Sequence, residues 1–143
     1  MTTPATHEGS CFCGRVRYRI AAPVKFVAHD HCSMCRRIAG APFVTWCGVK
    51  EGQFEMLAGE DALTTFASSA HATRQFCTTC GSHLFFRSTN WPGEVHVTLA
   101  TLHAPEGLVP KAHVFYSDRA PWLDLDAKLL RLGGPTGMDP IEP

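Results

Sequence analysis

The 143-residue sequence has no long apolar run, no net charge and little helical patterning. No apolar stretch approaches the roughly 18–20 residues that a membrane-crossing helix requires, so no membrane span or membrane partner is expected. The opening residues, MTTPATHEGS, have neither a basic start nor an apolar centre. No secretory leader is therefore expected, and the expected compartment is the cytoplasm. Thirteen Lys and Arg balance thirteen Asp and Glu. Such a chain carries no bulk field for a nucleic acid, and none is expected as a partner. No internal repeat or change of composition divides it. A single domain over 1–143 is expected, with loose ends at 1–8 and in the Gly/Pro-rich stretch 133–143.

What is present is mostly strand signal. "RVRYRI" alternates strictly, placing Val16, Tyr18 and Ile20 on one face and Arg15, Arg17 and Arg19 on the other, as in a half-buried strand with a solvated outer face. "PFVTWCGV", "HLFFRS", "EVHVTLATL" and "AHVFYS" are aromatic and β-branched runs of the same kind. "EDALTTFASSAHATRQF" divides into two strands joined at Ser68-Ser69-Ala70. The single good helical signal is "SMCRRIAG", with Gly40 placed to cap it. The expected fold is mainly β: small antiparallel sheets, with at most short helical turns.

Seven cysteines stand out against this background. An odd number in a reducing compartment favours metal binding or catalysis over a disulfide framework. They fall as Cys11 and Cys13, Cys32 and Cys35, a lone Cys47, and Cys77 and Cys80. Zinc takes four tetrahedral ligands, and two tight turns that supply two thiolates each complete its shell. "SCFCGRV" and "FCTTCGSHL" each place a glycine directly after the second cysteine, where positive φ lets backbone N–H groups point at sulfur. These matching turns make Cys11, Cys13, Cys77 and Cys80 the expected structural zinc set. Cys47 reads as a small buried hydrophobe.

The third group is richer. In "AHDHCSMCRRIAG", His29, Asp30 and His31 precede Cys32 and Cys35. The stretch suits a structural zinc, a redox dithiol, or a metal with one position left open.

Four strings together carry a resemblance: G-S-C-x-C-G-x-V-x-Y near the start; H-C-S-M-C-R-R-x-x-G-A-P-F followed by T-W; R-Q-F-C-T-T-C-G-S-H-L-F-F; and "KAHVFYSDRAPWLDL", with His113 and Trp122. In that order they resemble the glutathione-dependent formaldehyde-activating enzyme family, also called the centromere protein V domain family. The resemblance implies a zinc-stapled β fold shared with certain chaperone-like proteins, and a carbon–sulfur lyase that forms or cleaves S-hydroxymethylglutathione. It also implies two metal sites. The first would use Cys11, Cys13, Cys77 and Cys80. For the second, members carry C-H-C-x-x-C, three cysteines that hold a catalytic zinc. Here the first of the three is replaced, and Asp30 stands beside His31, Cys32 and Cys35. The resemblance thus implies Asp30, Cys32 and Cys35 as the catalytic and second zinc set. A carboxylate is harder than a thiolate and would hold zinc more weakly. If the stretch is extended, His31 would face away from Asp30 and Cys32. Expected substrate contacts are His31, Arg36, Arg37 and Trp46, the arginines serving the tripeptide carboxylates; a solvated helix face is the other reading of those arginines. The expected partner is a small-molecule thiol adduct related to glutathione. Two other readings stay open: a metal-stapled binding module without catalysis, and a thiol or redox protein using Cys32 and Cys35.

Overall fold

The computed structural model describes residues 3–141. In chain order the strands are β1 (Thr6–Ser10), β2 (Arg17–Ala21), β3 (Phe26–Asp30), β4 (Val44–Lys50), β5 (Phe54–Ala58), β6 (Leu63–Ala67), β7 (Ala72–Cys77), β8 (His83–Ser88), β9 (Glu94–Thr98), β10 (Ala112–Val114), β11 (Leu132–Gly133) and β12 (Asp139–Pro140); the one α-helix among the described residues, α1, is Ser33–Ala39. Among the described residues no helix is long and apolar enough to cross a membrane. The fold is mainly β, as the alternating runs imply. It is less uniform than small antiparallel sheets. A three-stranded sheet, β1-β2-β5, packs on a seven-stranded one, β10-β3-β4-β9-β8-β7-β6. In the larger sheet β10 runs parallel to β3. The ends are also more ordered than expected. Thr6, His7 and Glu8 pair with β2, and β11 pairs with β12 near the C-terminus.

Each face of the large sheet has a distinct task. Successive strand residues point to opposite sides, and the register makes two lines across the strands. Val27, Cys47, Val97 and Phe85 are cross-strand partners in sequence, and all four are buried. They meet Tyr18, Ile20 and Phe54 from the small sheet in the main core. Tyr18 and Phe54 both pack edge-on against Phe85, with ring centroids 4.9 Å apart in each case. The alternation of "RVRYRI" is this arrangement: Val16, Tyr18 and Ile20 are fully buried. On the outer face Arg19 lies 2.7 Å from Glu8, and Arg15 lies 3.5 Å from Asp61. Interleaved carboxylates neutralise that face, so it is no anion patch.

The second line, one residue out of phase, is Phe26, Gly48, His96, Phe86 and Arg74. It points away from the main core and underlies a pocket. Gly48 is needed here. A β-carbon at this position would overlap the ring of Phe26, which lies flat across the strand. The Phe26 ring then meets the His96 ring edge-on at 4.7 Å. Gly48→Ala should therefore force Phe26 off its seat and cost about 1–3 kcal/mol of stability, the range for overpacked interiors. The check is a urea midpoint; an unchanged midpoint would mean that the ring moves aside freely.

Candidate metal and catalytic site

Two tight turns build the first cluster. After Cys13 and after Cys80 the chain reverses through Gly14 and Gly81, each at φ 81°. Both turns bend as their Cys-Gly sequences imply. Gly14 N–H donates to the Cys11 carbonyl at 3.1 Å, and Gly81 N–H donates to that of Cys77 at 2.8 Å. The sulfurs of Cys11, Cys13, Cys77 and Cys80 lie within 4.8 Å of one another. Cys11 Sγ is 3.5 Å from Cys13 Sγ, which is 3.8 Å from Cys77 Sγ. A tetrahedron with zinc–sulfur bonds of about 2.3 Å has edges of about 3.8 Å, so the donor set fits zinc in chemistry and spacing. Val16 N–H donates to Cys11 Sγ at 3.3 Å. A hydrogen bond from the Ser82 hydroxyl is the largest of the effects that hold the Cys80 thiol down to about 5. Such donors favour the thiolate form that a metal needs.

The second cluster lies where β3 ends and α1 begins. Asp30 Oδ1 accepts from Cys32 N–H at 2.9 Å. Cys32 caps α1, its Sγ accepting from Cys35 N–H at 3.2 Å. One helical turn thus sets both thiols on one side, and the strand end brings the carboxylate beside them. All three ligand atoms lie within 4.8 Å of one another. A hydrogen bond from the Cys35 thiol, with another from its N–H, holds the Cys32 thiol down to about 7 despite partial burial. Cys35 moves upward, because it shares its proton with Cys32 and is buried. Two sulfurs and a carboxylate in so small a space could hold a metal ion with one position open.

This cluster forms part of the wall of a pocket of about 540 Å³. The reach of that pocket sorts the expected substrate contacts. Trp46 lines it; His31, Arg36 and Arg37 do not. His31 lies on the other side of the strand end, fully buried, with Nε2 2.9 Å from His113 Nδ1 and its ring against Phe43 and Tyr116. Arg36, half-buried, and Arg37, exposed, line instead a separate shallow depression shared with Trp122. The helix carries them round, away from the face that holds Cys32 and Cys35.

Sequence reading missed Arg74. It is 3% exposed, and its two terminal nitrogens each lie 3.6 Å from Cys35 Sγ. Its guanidinium also lies over Phe86, 4.9 Å from the ring centre. A lone arginine in "ATRQF" has no spacing signal; only its alternate position on β7 could have pointed at the pocket. Cys47 is fully buried, and burial pushes its thiol up to about 11, so it is an inert core residue.

The profile of the glutathione-dependent formaldehyde-activating enzyme family matches residues 6–118. The chain belongs to this family. A Halomonas elongata protein provisionally named a glutathione-dependent formaldehyde-activating enzyme is 25% identical over 138 residues, covering 85% of this chain and 82% of its own. An uncharacterised lyase of Schizosaccharomyces pombe is 26% identical over 123 residues, with 85% and 87% covered. A crystal structure of a Rhodobacter sphaeroides protein, 23% identical, superimposes with a TM-score of 0.61 over 74% of this chain and 98% of that one, a likeness of fold. Family and relatives together support an enzyme of the formaldehyde-activating type.

The donor sets and a buried histidine near them can each be tested. Asp30→Ala should lower the metal content by one ion per chain and leave the fold intact, whereas Cys77→Ser should unfold the protein, because structural zinc contributes on the order of 10 kcal/mol to folding. Metal analysis beside a melting curve tests both; an Asp30→Ala protein with the parent's metal content would remove Asp30 from the ligand set. The histidine is His83, packed edge-on against Trp46 at 5.2 Å, with neither buried ring nitrogen partnered among the described residues. Burial, helped by the charge of Arg74, lowers its pKa to about 4. Between pH 6.5 and that value the unfolded chain binds a proton that the folded chain refuses, so stability should fall by about 3 kcal/mol as pH drops through this window. His83→Leu should flatten the curve in denaturant titrations; an unchanged slope would show that His83 is not the source.

Proposed function

We propose that this protein is a zinc-dependent lyase that forms or cleaves the carbon–sulfur bond of a glutathione adduct, with Asp30, Cys32 and Cys35 as the protein ligands of the catalytic metal and Cys11, Cys13, Cys77 and Cys80 as those of a structural one. The observation that carries this reading is the three-donor cluster in the wall of the pocket, with a buried arginine against it. Zinc bound there would supply a Lewis acid and would favour the thiolate form of an incoming thiol.

The chain's own groups have defined parts. Cys32, held near neutrality, gives up its proton readily to become a ligand. Arg74 sets its charge beside Cys35 and offsets the build-up of negative charge from two thiolates and a carboxylate. Trp46, packed over Cys35 and Val44, keeps water from that side of the donors. In the forward direction the thiol sulfur bonds to the carbonyl carbon, the carbon–oxygen π pair moves to oxygen, and the thiol proton ends on that oxygen as the hydroxyl. Cleavage reverses each transfer.

The dithiol alternative is set apart by Asp30, which a redox pair does not need. Calorimetry with glutathione and with its sulfur-free analogue, ophthalmic acid, tests the proposal. Glutathione should bind about tenfold or more tightly, and Asp30→Ala should abolish the difference. Equal affinity for both in the parent protein would rule out recognition through sulfur and leave a binding module.

A further inference from the structure

The pocket beside Asp30, Cys32 and Cys35 is far larger than a one-carbon unit needs, and its walls do not suit a charged peptide. Its volume is about 540 Å³, and Phe26, Trp46, Phe86 and Trp91 line it. The belt is nearly continuous: the Phe86 ring centre is 5.8 Å from that of Trp46 and 6.2 Å from that of Trp91. His96 closes it, stacked on Phe86 at 5.4 Å and edge-on to Phe26 at 4.7 Å.

The cations that reach this space are already engaged. Arg74 is committed to Cys35, Ser68 and the face of Phe86. Lys25 pairs with one oxygen of Glu94, and the other oxygen lies 3.0 Å from His96 Nε2. Burial, the largest single effect, pushes the Glu94 carboxyl up, but the pairs with Lys25 and His96 together outweigh it and hold the carboxyl below its usual range. Glutathione carries two carboxylates and an ammonium group, and burying any of them unpaired is costly. Arg36 and Arg37, the cations beside the cysteine pair in sequence, lie off the pocket. Among the described residues the belt therefore offers the two carboxylates of the tripeptide no unpaired cation, and Asp118, the one unpaired carboxylate of the lining, could meet only the ammonium group, whereas the belt itself fits an uncharged ring.

Building on the proposed lyase activity, we infer that the aromatic belt receives the carbon-side group of the adduct, and that this group is an aryl-sized apolar unit, as in the adduct of an aromatic aldehyde, rather than the single carbon of formaldehyde. The tripeptide stays at the mouth, where its charges remain hydrated. The reaction balances as for formaldehyde: sulfur bonds to the carbonyl carbon, the π pair moves to oxygen, and the thiol proton follows it.

Two unreactive thioethers separate the possibilities. S-benzylglutathione and S-methylglutathione are titrated into the full-length protein by calorimetry. The benzyl compound should bind at least about tenfold more tightly, the gain expected for burying a phenyl ring. Trp91 is 41% exposed at the pocket, so Trp91→Ala should fold normally. It should lower the affinity for the benzyl compound several-fold and leave that for the methyl compound unchanged. Equal affinities in the parent protein would overturn the inference while glutathione recognition stands. Binding of neither compound would also overturn the inference, while glutathione titrated beside them tests the lyase reading separately, because only its free thiol can become a thiolate.

Discussion

Four thiols from two distant turns converge on one point, and the placement of both sheets follows from that convergence. The Cys11–Gly14 turn precedes β2 of the small sheet, while the Cys77–Gly81 turn joins β7 to β8 in the large one. Bringing their sulfurs within 4.8 Å sets the β1–β2 turn of one sheet against the β7–β8 turn of the other. Tyr18 and Phe54 then have a fixed partner in Phe85. Four thiolates that close would repel, so the arrangement makes energetic sense with a divalent cation between them, and on this account metal binding and folding would be coupled.

With one face of the large sheet committed to the core, the other is free for chemistry. Its line of Phe26, Gly48, His96, Phe86 and Arg74 makes the floor of the pocket. The end of β3 and the first turn of α1 add the donors, and the parallel strand β10 brings Val114 and the following Phe115 to close one side. Phe115 takes a left-handed conformation, φ 52°, which ends the strand and turns the chain over the pocket. On this account a rigid sheet holds the apolar wall and a short helix start holds the ligands, so the site owes little to mobile loops.

Much of this was legible before any coordinates. Strands with one buried face announce themselves by alternation, as β2 does, and the β6–β7 hairpin showed through its Ser-Ser-Ala break. The four-cysteine cluster was legible because close cysteine pairs with a following glycine have few other uses, whereas the grouping of Asp30 with Cys32 and Cys35, which no glycine follows, came from the family resemblance. Less visible was β3, whose "FVAHD" ends in the polar residues that serve the site and so breaks its own pattern. β5 is a short strand of the small sheet, and β1 begins inside a stretch that composition marks as loose. The parallel pairing of β10 depends on long-range register, which no local signal encodes. In the site, nearness in sequence misled: Arg36 and Arg37 follow the cysteine pair yet turn away from it, whereas Arg74, thirty-nine residues from Cys35, lies against its sulfur. Register across five neighbouring strands, from β3 to β7, brings that arginine in.

The central claim is that Asp30 replaces a thiolate and still completes a metal site beside the pocket. A crystal of the zinc-loaded protein, with anomalous scattering collected at the zinc absorption edge, addresses it directly. The account predicts two peaks, one among Cys11, Cys13, Cys77 and Cys80 and a second among Asp30, Cys32 and Cys35, with a carboxylate oxygen in its coordination shell. A single peak at the four-cysteine cluster, with Cys32 and Cys35 as free thiols or a disulfide, would contradict it.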